Sequence, residues 1–454
     1  MHVTQRYFDE TVQTIVEMLQ YDSSLSQPAE GAPFGKGAAD CLSAFLAKAE
    51  SFGFETKNYD GYAGEVLFGE GEPFAILAHL DVVPAGDGWK YPPFGGVIND
   101  DVSDCGVTGK KIWGRGALDD KAPAVCCLYA LKALKDAGIL PKRQIKLILG
   151  CNEESGWKCI EHYNKVATLP EEGFTPDADF PVIYAEKGIL HFTLSFPLEN
   201  APFKTLTAGE RVNMVCSKAT ALLTKEAGSK LALYPRFAEC FYDNTTGYMT
   251  TYGKSAHAST PHKGDNALKK AFAFFAELHE GCKEVYELLF EDRLGLTKMQ
   301  DETGPLTMAP NLACYENGVL KITIDVRFPA THTKEEVLAP FEANGVQWKV
   351  NNYQAPLYND PNGPLIRTLL SVYNERTGAN ASPIAIGGGT YARALKKGCA
   401  FGPEVPGEES TIHQPNEFVS FERIALMNEI YYEAILRATC KEKYRIMTVK
   451  TTLK

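Results

Sequence analysis

Between residues 40 and 190 the chain alternates helical and strand-like hydrophobic patterns, and that alternation restricts the fold more than any other feature. "AADCLSAFLAKAESFG" carries apolar residues at helical spacing. "FAILAHLD" is an apolar run of strand length, "APAVCCLYALKALKDAG" is a second helical pattern closed by Gly138, and "QIKLILG" and "PVIYAEKG" are further apolar runs. A wholly apolar strand needs cover on both faces, and helices between successive strands supply it. The expectation is an α/β fold with a mostly parallel central sheet. From about residue 190 to 355 the texture changes. Segments that alternate polar and apolar, such as "LHFTLSFP", "GYMTTYGKSAH" and "GVLKITIDVRFP", stand against helical patterns at "NALKKAFAFFAELHEG" and "THTKEEVLAPFEANG". That reads as a separate α+β unit with one solvated sheet face. After the turn cluster "PLYNDPNGP" the helical patterns "LIRTLLSVYNERTG" and "FERIALMNEIYYEAILRATC" resume. The expected organisation is one domain built from residues 1–190 and 356–454, interrupted by a second at 191–355. With 454 residues, 44% of them apolar, the chain can fill both cores.

The net charge of −11, with no basic patch, excludes sequence-independent nucleic-acid binding and attraction to anionic membranes. No apolar stretch is long enough for a membrane span. The opening "MHVTQRYFDETVQTIVEMLQYD" is an amphipathic helix pattern without the basic and apolar regions of a leader peptide. The 12 cysteines lack CxxC clusters and read as reduced thiols, so the expected compartment is the cytoplasm. The final "KEKYRIMTVKTTLK" reads as a loosely held basic tail.

Four segments place acids or histidines where apolar elements end. "LAHLDVVPAG" holds His79 and Asp81, "GRGALDDKA" holds Asp119 and Asp120 before a helix, "CNEESG" holds Glu153 and Glu154 at a strand exit, and "TPDADFP" holds Asp177 and Asp179. Strand ends of α/β sheets are where sites collect. That many acids converging would repel one another unless cations sat among them. Each segment also has a simpler reading. Asp119–Asp120 and Glu153–Glu154 can open helices, favoured by the macrodipole, and "TPDADFP" can be turn chemistry. Their conjunction, at intervals of one strand–helix unit, points to a metal centre.

The ordered set "AHLDVVPAGDGW", "GRGALDDK", "CNEES", "TPDADFPVIYAEKG", "GKSAHAS", "DVRFP", "GGGTYAR" and "IHQPNEF" resembles the motifs of the M20 family of dinuclear zinc peptidases, and within it the bacterial dipeptidases of the PepV type. The resemblance runs from about residue 35 to 420. It implies an α/β catalytic domain with an inserted lid, and two divalent metal ions per chain, Zn²⁺ first, with Mn²⁺ or Co²⁺ as alternatives. Carried over, Asp119 bridges the ions, His79 and Asp177 complete one, and Glu154 and His413 the other. Asp81 orients His79, Glu153 is the general base, and the Asp119–Asp120 peptide is cis. In the lid, His257 reaches the developing oxyanion and Arg327 the substrate's C-terminal carboxylate, with Asn213 and the backbone of Gly388 near it. A carboxylate engaged by metal cannot also move protons, which accounts for two adjacent glutamates.

Ala122 stands where the family has glycine, and Cys216 where proline is usual; neither removes a ligand. His262 reads as a lid surface residue and His191 as lining the hinge or the lid strand, while His2, His162, His279 and His332 have no motif support. The long lid implies a monomer that hydrolyses unblocked dipeptides. An N-acyl-amino-acid or succinyl-diaminopimelate-type deacylase and a catalytically silent peptide-binding protein are the alternatives, and the retained Glu153 argues against silence.

Overall fold

The computed structural model describes residues 6–440 except 232–236 and 238. His2 and the basic segment 441–454 lie outside the described residues. The chain forms two compact units. The first runs to Tyr184 and resumes over Asn359–Ile384 and from Thr390; the second is Ala185–Tyr358 with Ala385–Gly389.

The first unit is organised around a mixed sheet. Its strand order is Glu55–Tyr59, Ala63–Phe68, Gln144–Gly150, Pro73–His79, Glu172–Thr175, Lys397–Ala400, then Ile183–Glu186. Pairing is parallel through the centre, from Gln144–Gly150 to Lys397–Ala400, and antiparallel at both flanks. The central position of Pro73–His79 follows from its composition, since every residue from Phe74 to His79 is buried. Helix Lys121–Asp136 covers that strand and packs on helix Phe421–Thr439; it is buried almost throughout, as its run of Ala, Val, Cys and Leu requires. Helix Lys36–Ser51 covers the flank. A Cβ on Gly64 would lie 2.6 Å from Leu42 Cδ1, so glycine there permits the close approach of helix to strand. The next residue, Glu65, faces helix Lys158–Val166 and accepts from Tyr163 Oη at 2.9 Å. Helices therefore lie on both faces.

Behind the segment that carries Asp177, Phe180, Phe401 and Tyr431 form an aromatic cluster, with Phe180 and Phe401 centroids 5.0 Å apart edge to face. The short strands Ala178–Asp179 and Pro403–Glu404 pair in parallel beside it. No disulfide joins any of the 12 cysteines, and no described helix is long and apolar enough to cross a membrane.

The second unit is an eight-stranded antiparallel sheet. In order it runs Cys240–Tyr242, Tyr248–Tyr252, Lys218–Leu223, Phe203–Ala208, Thr307–Glu316, Val319–Phe328, Gly188–Pro197, Gln347–Gln354. Helices Ala267–Phe275, Glu280–Phe290 and Lys334–Ala343 bury Phe272, Phe275, Leu288 and Phe341 with sheet residues such as Phe192, Ile322 and Ile324. The last helix opens with a capping box between Thr333 and Glu336. Register sets His191 directly opposite Asp325.

Candidate functional site

Parallel register brings the chemistry of the first unit to one sheet edge. His79 is the last residue of its strand and pairs with Gly150, the last of the neighbouring strand, so the turn carrying Glu153 and Glu154 opens beside it. Thr175 ends the next strand two residues before Asp177. Asp119 and Asp120 directly precede helix Lys121–Asp136, and the peptide between them is cis.

The helix-opening readings of these acids do not match the structure. Asp120 occupies the N-cap position but makes no side-chain cap; its Oδ2 accepts the backbone N–H of His79 at 3.1 Å. The helix after "CNEESG" begins only at Lys158, which leaves Glu153 and Glu154 in the preceding turn. That turn is held by Asp81, whose Oδ1 accepts the Glu153 N–H at 2.9 Å and whose Oδ2 accepts the Glu154 N–H at 3.1 Å. His79 Nδ1 lies 2.9 Å from the backbone carbonyl of Asp81 and 3.6 Å from its carboxylate. The closer partner of the imidazole is thus the main chain, which places the ring proton on Nδ1 and leaves the Nε2 lone pair facing the acids.

Around those acids the donors fall into two sets that share one carboxylate. His79 Nε2 is 2.8 Å from Asp119 Oδ1 and 3.5 Å from Asp177 Oδ2. His413 Nε2 is 2.9 Å from Asp119 Oδ2 and 2.9 Å from Glu154 Oε1. By proximity alone two groups have ligand atoms within 4.8 Å of one another, His79 with Asp119 and Glu154, and His79 with Glu153 and Asp177; these share the imidazole rather than a carboxylate, and the second takes in Glu153. His79 Nε2 and Asp119 Oδ1 are sealed from solvent without a hydrogen bond of acceptable alignment. Buried, converging, unpartnered nitrogen and oxygen donors fit a divalent cation of the Zn²⁺, Mn²⁺ or Co²⁺ type.

The electrostatics of the bare protein point the same way. Burial, reinforced by Asp177, Glu154 and Asp81, raises the Glu153 carboxyl well above its ordinary range. Burial and Asp119 push Glu154 up to about 7, and burial and Asp119 also raise Asp177. Burial works against a charged imidazole, yet hydrogen bonds to Asp119 and Glu154 carry His413 up to about 11, and Asp177 and Asp119 raise His79. Burial would raise Asp119 as well, but the hydrogen bond from His413 and the nearby positive charge of the His79 ring hold it far below its usual range. The cluster demands positive charge, which bound cations would supply in place of protons.

Glu153 and Glu154 differ in partners. Glu154 meets His413, whereas Glu153 Oε1 accepts the indole N–H of Trp157 at 3.0 Å. Trp157, in the left-handed region at φ 63°, packs edge to face on the buried Tyr391. Sequence reasoning passed over three residues here: Trp157, Arg115 and Glu417. Glu417 lies within the quoted "IHQPNEF", and an acid entering the apolar "FVSF" was the available signal.

In the second unit, Met214 and His257 form an antiparallel bridge, and the Ala258 N–H donates to the Asn213 carbonyl at 2.9 Å, which sets Asn213 beside His257. The Ser259 backbone N–H points at His257 Nδ1 at 3.2 Å, and its hydroxyl at 2.7 Å, so the neutral ring keeps its proton on Nε2. Surrounding protein and the Arg327 guanidinium lower the His257 pKa from its ordinary value. Arg327 Nε and Nη2 grip Asp325 at 2.6 and 2.8 Å, while Nη1 reaches the Gly387 carbonyl at 3.4 Å, next to Gly388. His191 contacts the same Asp325 at 3.0 Å, and His262 is exposed on a short 3₁₀ turn.

Residues 75–437 match the model of peptidase family M20/M25/M40. The chain is 32% identical to the Beta-Ala-Xaa dipeptidase of Lactobacillus delbrueckii subsp. lactis, covering 96% of this chain and 97% of that protein. Among solved structures, human carnosine dipeptidase 1 shares the fold with a TM-score of 0.56 at 14% identity, over 96% and 98% of the two chains. The dipeptidase Dug1p of Saccharomyces cerevisiae gives 0.56 at 12% identity, over 96% and 97%.

Proposed function

The chain belongs to peptidase family M20/M25/M40, and from that premise we propose that it is a cytoplasmic, monomeric dipeptidase with a two-metal centre that acts on unblocked dipeptides. The observation that carries the reading is Asp119, whose two oxygens face two different histidines, His79 and His413. Asp119 would be shared between two ions, with His79 and Asp177 on one and Glu154 and His413 on the other. When bound, such cations acidify water and polarise a peptide carbonyl.

The chain's own groups do the rest. Glu153, with one oxygen held by Trp157, has its second oxygen to take a proton from the attacking water and return it to the leaving amine. Asp81 fixes the backbone beneath both glutamates, so that Glu154 would serve a metal and Glu153 the water. His257 offers a neutral Nε2–H to the oxyanion, a donor that does not depend on protonation of the ring. Arg327, oriented by Asp325, has its outer edge for the substrate's carboxylate, with Asn213 and Gly388 assigned to the same end of the substrate.

Reconstitution of metal-free protein with Zn²⁺, Mn²⁺ or Co²⁺, followed by turnover on α- and β-linked dipeptides and on N-acetyl amino acids, tests the proposal. Cleavage of dipeptides that is lost on chelation is expected. Cleavage of N-acetyl amino acids alone would make the protein a deacylase, and hydrolysis of neither would refute the assignment.

A further inference from the structure

Glu417 is almost fully enclosed, its side chain 1% exposed, and four donors converge on it. Oε1 accepts the backbone N–H of Leu118 at 2.8 Å and of Asp119 at 3.3 Å; Oε2 accepts Gly116 N–H at 3.1 Å and Arg115 Nη1 at 2.7 Å. Its own carbonyl accepts the Gly114 N–H at 2.9 Å. Arg115, 2% exposed, extends the network: Nη1 also reaches the Gln414 carbonyl at 3.3 Å and Nη2 the Ala85 carbonyl at 3.4 Å, with the guanidinium over the Trp89 ring. Ala85 lies four residues beyond Asp81, Asp119 is itself gripped, and Gln414 follows His413 directly.

We infer that the Arg115–Glu417 pair is a positioning device that registers the loops bearing His79, Asp119 and His413, and that the affinity of this site for divalent cations depends on it. The inference rests on the metal-centre reading above. Two features favour positioning over simple stability. A buried ion pair is seldom more stable than an apolar replacement of equal volume, so stability alone does not account for one here. The carboxylate also spends three of its acceptor positions on the turn N–H groups of Gly116, Leu118 and Asp119, which fixes the backbone from which the shared ligand projects. Partners of this kind, once removed, typically cost ~10–100-fold in metal affinity.

The test is Glu417→Gln. The amide has the same shape but a single acceptor oxygen, and its NH2 group would oppose donors now satisfied by Oε2. Zn²⁺ affinity is measured by competition with a chromogenic chelator, metal content after dialysis by atomic emission, and folding of the metal-free protein by circular dichroism. The expected result is a folded protein whose Zn²⁺ binding is weakened at least ~10-fold. A folded Glu417→Gln protein with wild-type affinity overturns the inference, even with a lower melting temperature, because that is the signature of a purely structural pair. Should Glu417→Gln not fold, Arg115→Lys decides: it keeps the charge but loses the reach to Gln414 and Ala85, and wild-type affinity in it overturns the inference equally. If the wild-type chain binds no Zn²⁺, the metal-centre reading itself fails, an outcome distinct from either.

Discussion

Replacing Glu153 with glutamine separates proton transfer from every other role in the site. The side chain keeps its volume, and its oxygen still accepts the Trp157 indole N–H now found at 3.0 Å. The NH2 group then occupies the place of the second carboxylate oxygen and cannot take a proton. The backbone stays where Asp81 holds it, at 2.9 and 3.1 Å from the two glutamate N–H groups. A positioned general base contributes ~10²–10⁴ in rate. At ~1.4 kcal/mol for each factor of ten, that is roughly 3–6 kcal/mol of transition-state stabilisation, so kcat should fall by that factor with KM within about threefold. Metal content should not change, because the proposed ligand is Glu154. The metal-free protein should melt no lower than wild type, since one of several mutually repelling acids, with Asp177, Glu154 and Asp81 close by, has been neutralised. Steady-state kinetics, atomic emission and calorimetry on one preparation read all three. Loss of a metal ion in Glu153→Gln, with both retained in Glu154→Gln, would show that the two roles are exchanged; unchanged kcat would refute a general-base role for Glu153.

Asp81→Asn should weaken metal binding and lower kcat together, because the amide can accept only one of the two glutamate N–H bonds; metal titration beside kinetics checks this, and wild-type affinity would count against it. Chelation should abolish activity and lower the melting temperature, since a ligand present at about 1,000 times its Kd stabilises the native state by ~4 kcal/mol; scanning calorimetry with and without EDTA measures it. His257 should titrate below its ordinary value by NMR, because surrounding protein and Arg327 lower its pKa, so the neutral donor form persists as pH falls through 6.5; His257→Ala should cost ~10²–10³ in kcat. Glu65→Gln should destabilise the first unit by about 3–5 kcal/mol, because buried Glu65 meets Lys146 at 2.8 Å, Tyr59 at 2.7 Å and Tyr163 at 2.9 Å, and Lys146 would lose its counter-charge. Burial disfavours the Glu65 carboxylate, but those partners lower its pKa below the ordinary glutamate value of 4.5, so this contribution is present above about pH 4.5 and lost as pH falls through the lower folded value; denaturant melts at pH 7 and 3.5 read the difference.

The element types and the identity of the chemical groups were written locally and could be read from the chain. The apolar run 74–79 must be a covered strand, and the pattern from residue 122 must be a buried helix, because period and composition are properties of a few neighbouring residues. The motif order carried the family and the α/β fold for the same reason. Antiparallel flanking of the central sheet was not legible, since strand polarity depends on connections rather than on strand composition. Nor was the start of the helix at Lys158: acids favour a helix N-terminus in general, but here Asp81, 72 residues away, takes the two N–H groups and keeps the glutamates in a turn. His79 was expected to be oriented by the Asp81 side chain, and the main-chain carbonyl lies nearer, a distinction of 2.9 against 3.6 Å that no spacing rule resolves. Glu417 reaches Asp119 across 298 residues of chain. The sequence by itself determined which groups are present and at which strand ends they emerge. Only the tertiary structure decided which oxygen faces which nitrogen, because hydrogen bonds and charge pairs act over about 3 Å and are chosen by packing between segments remote in the chain.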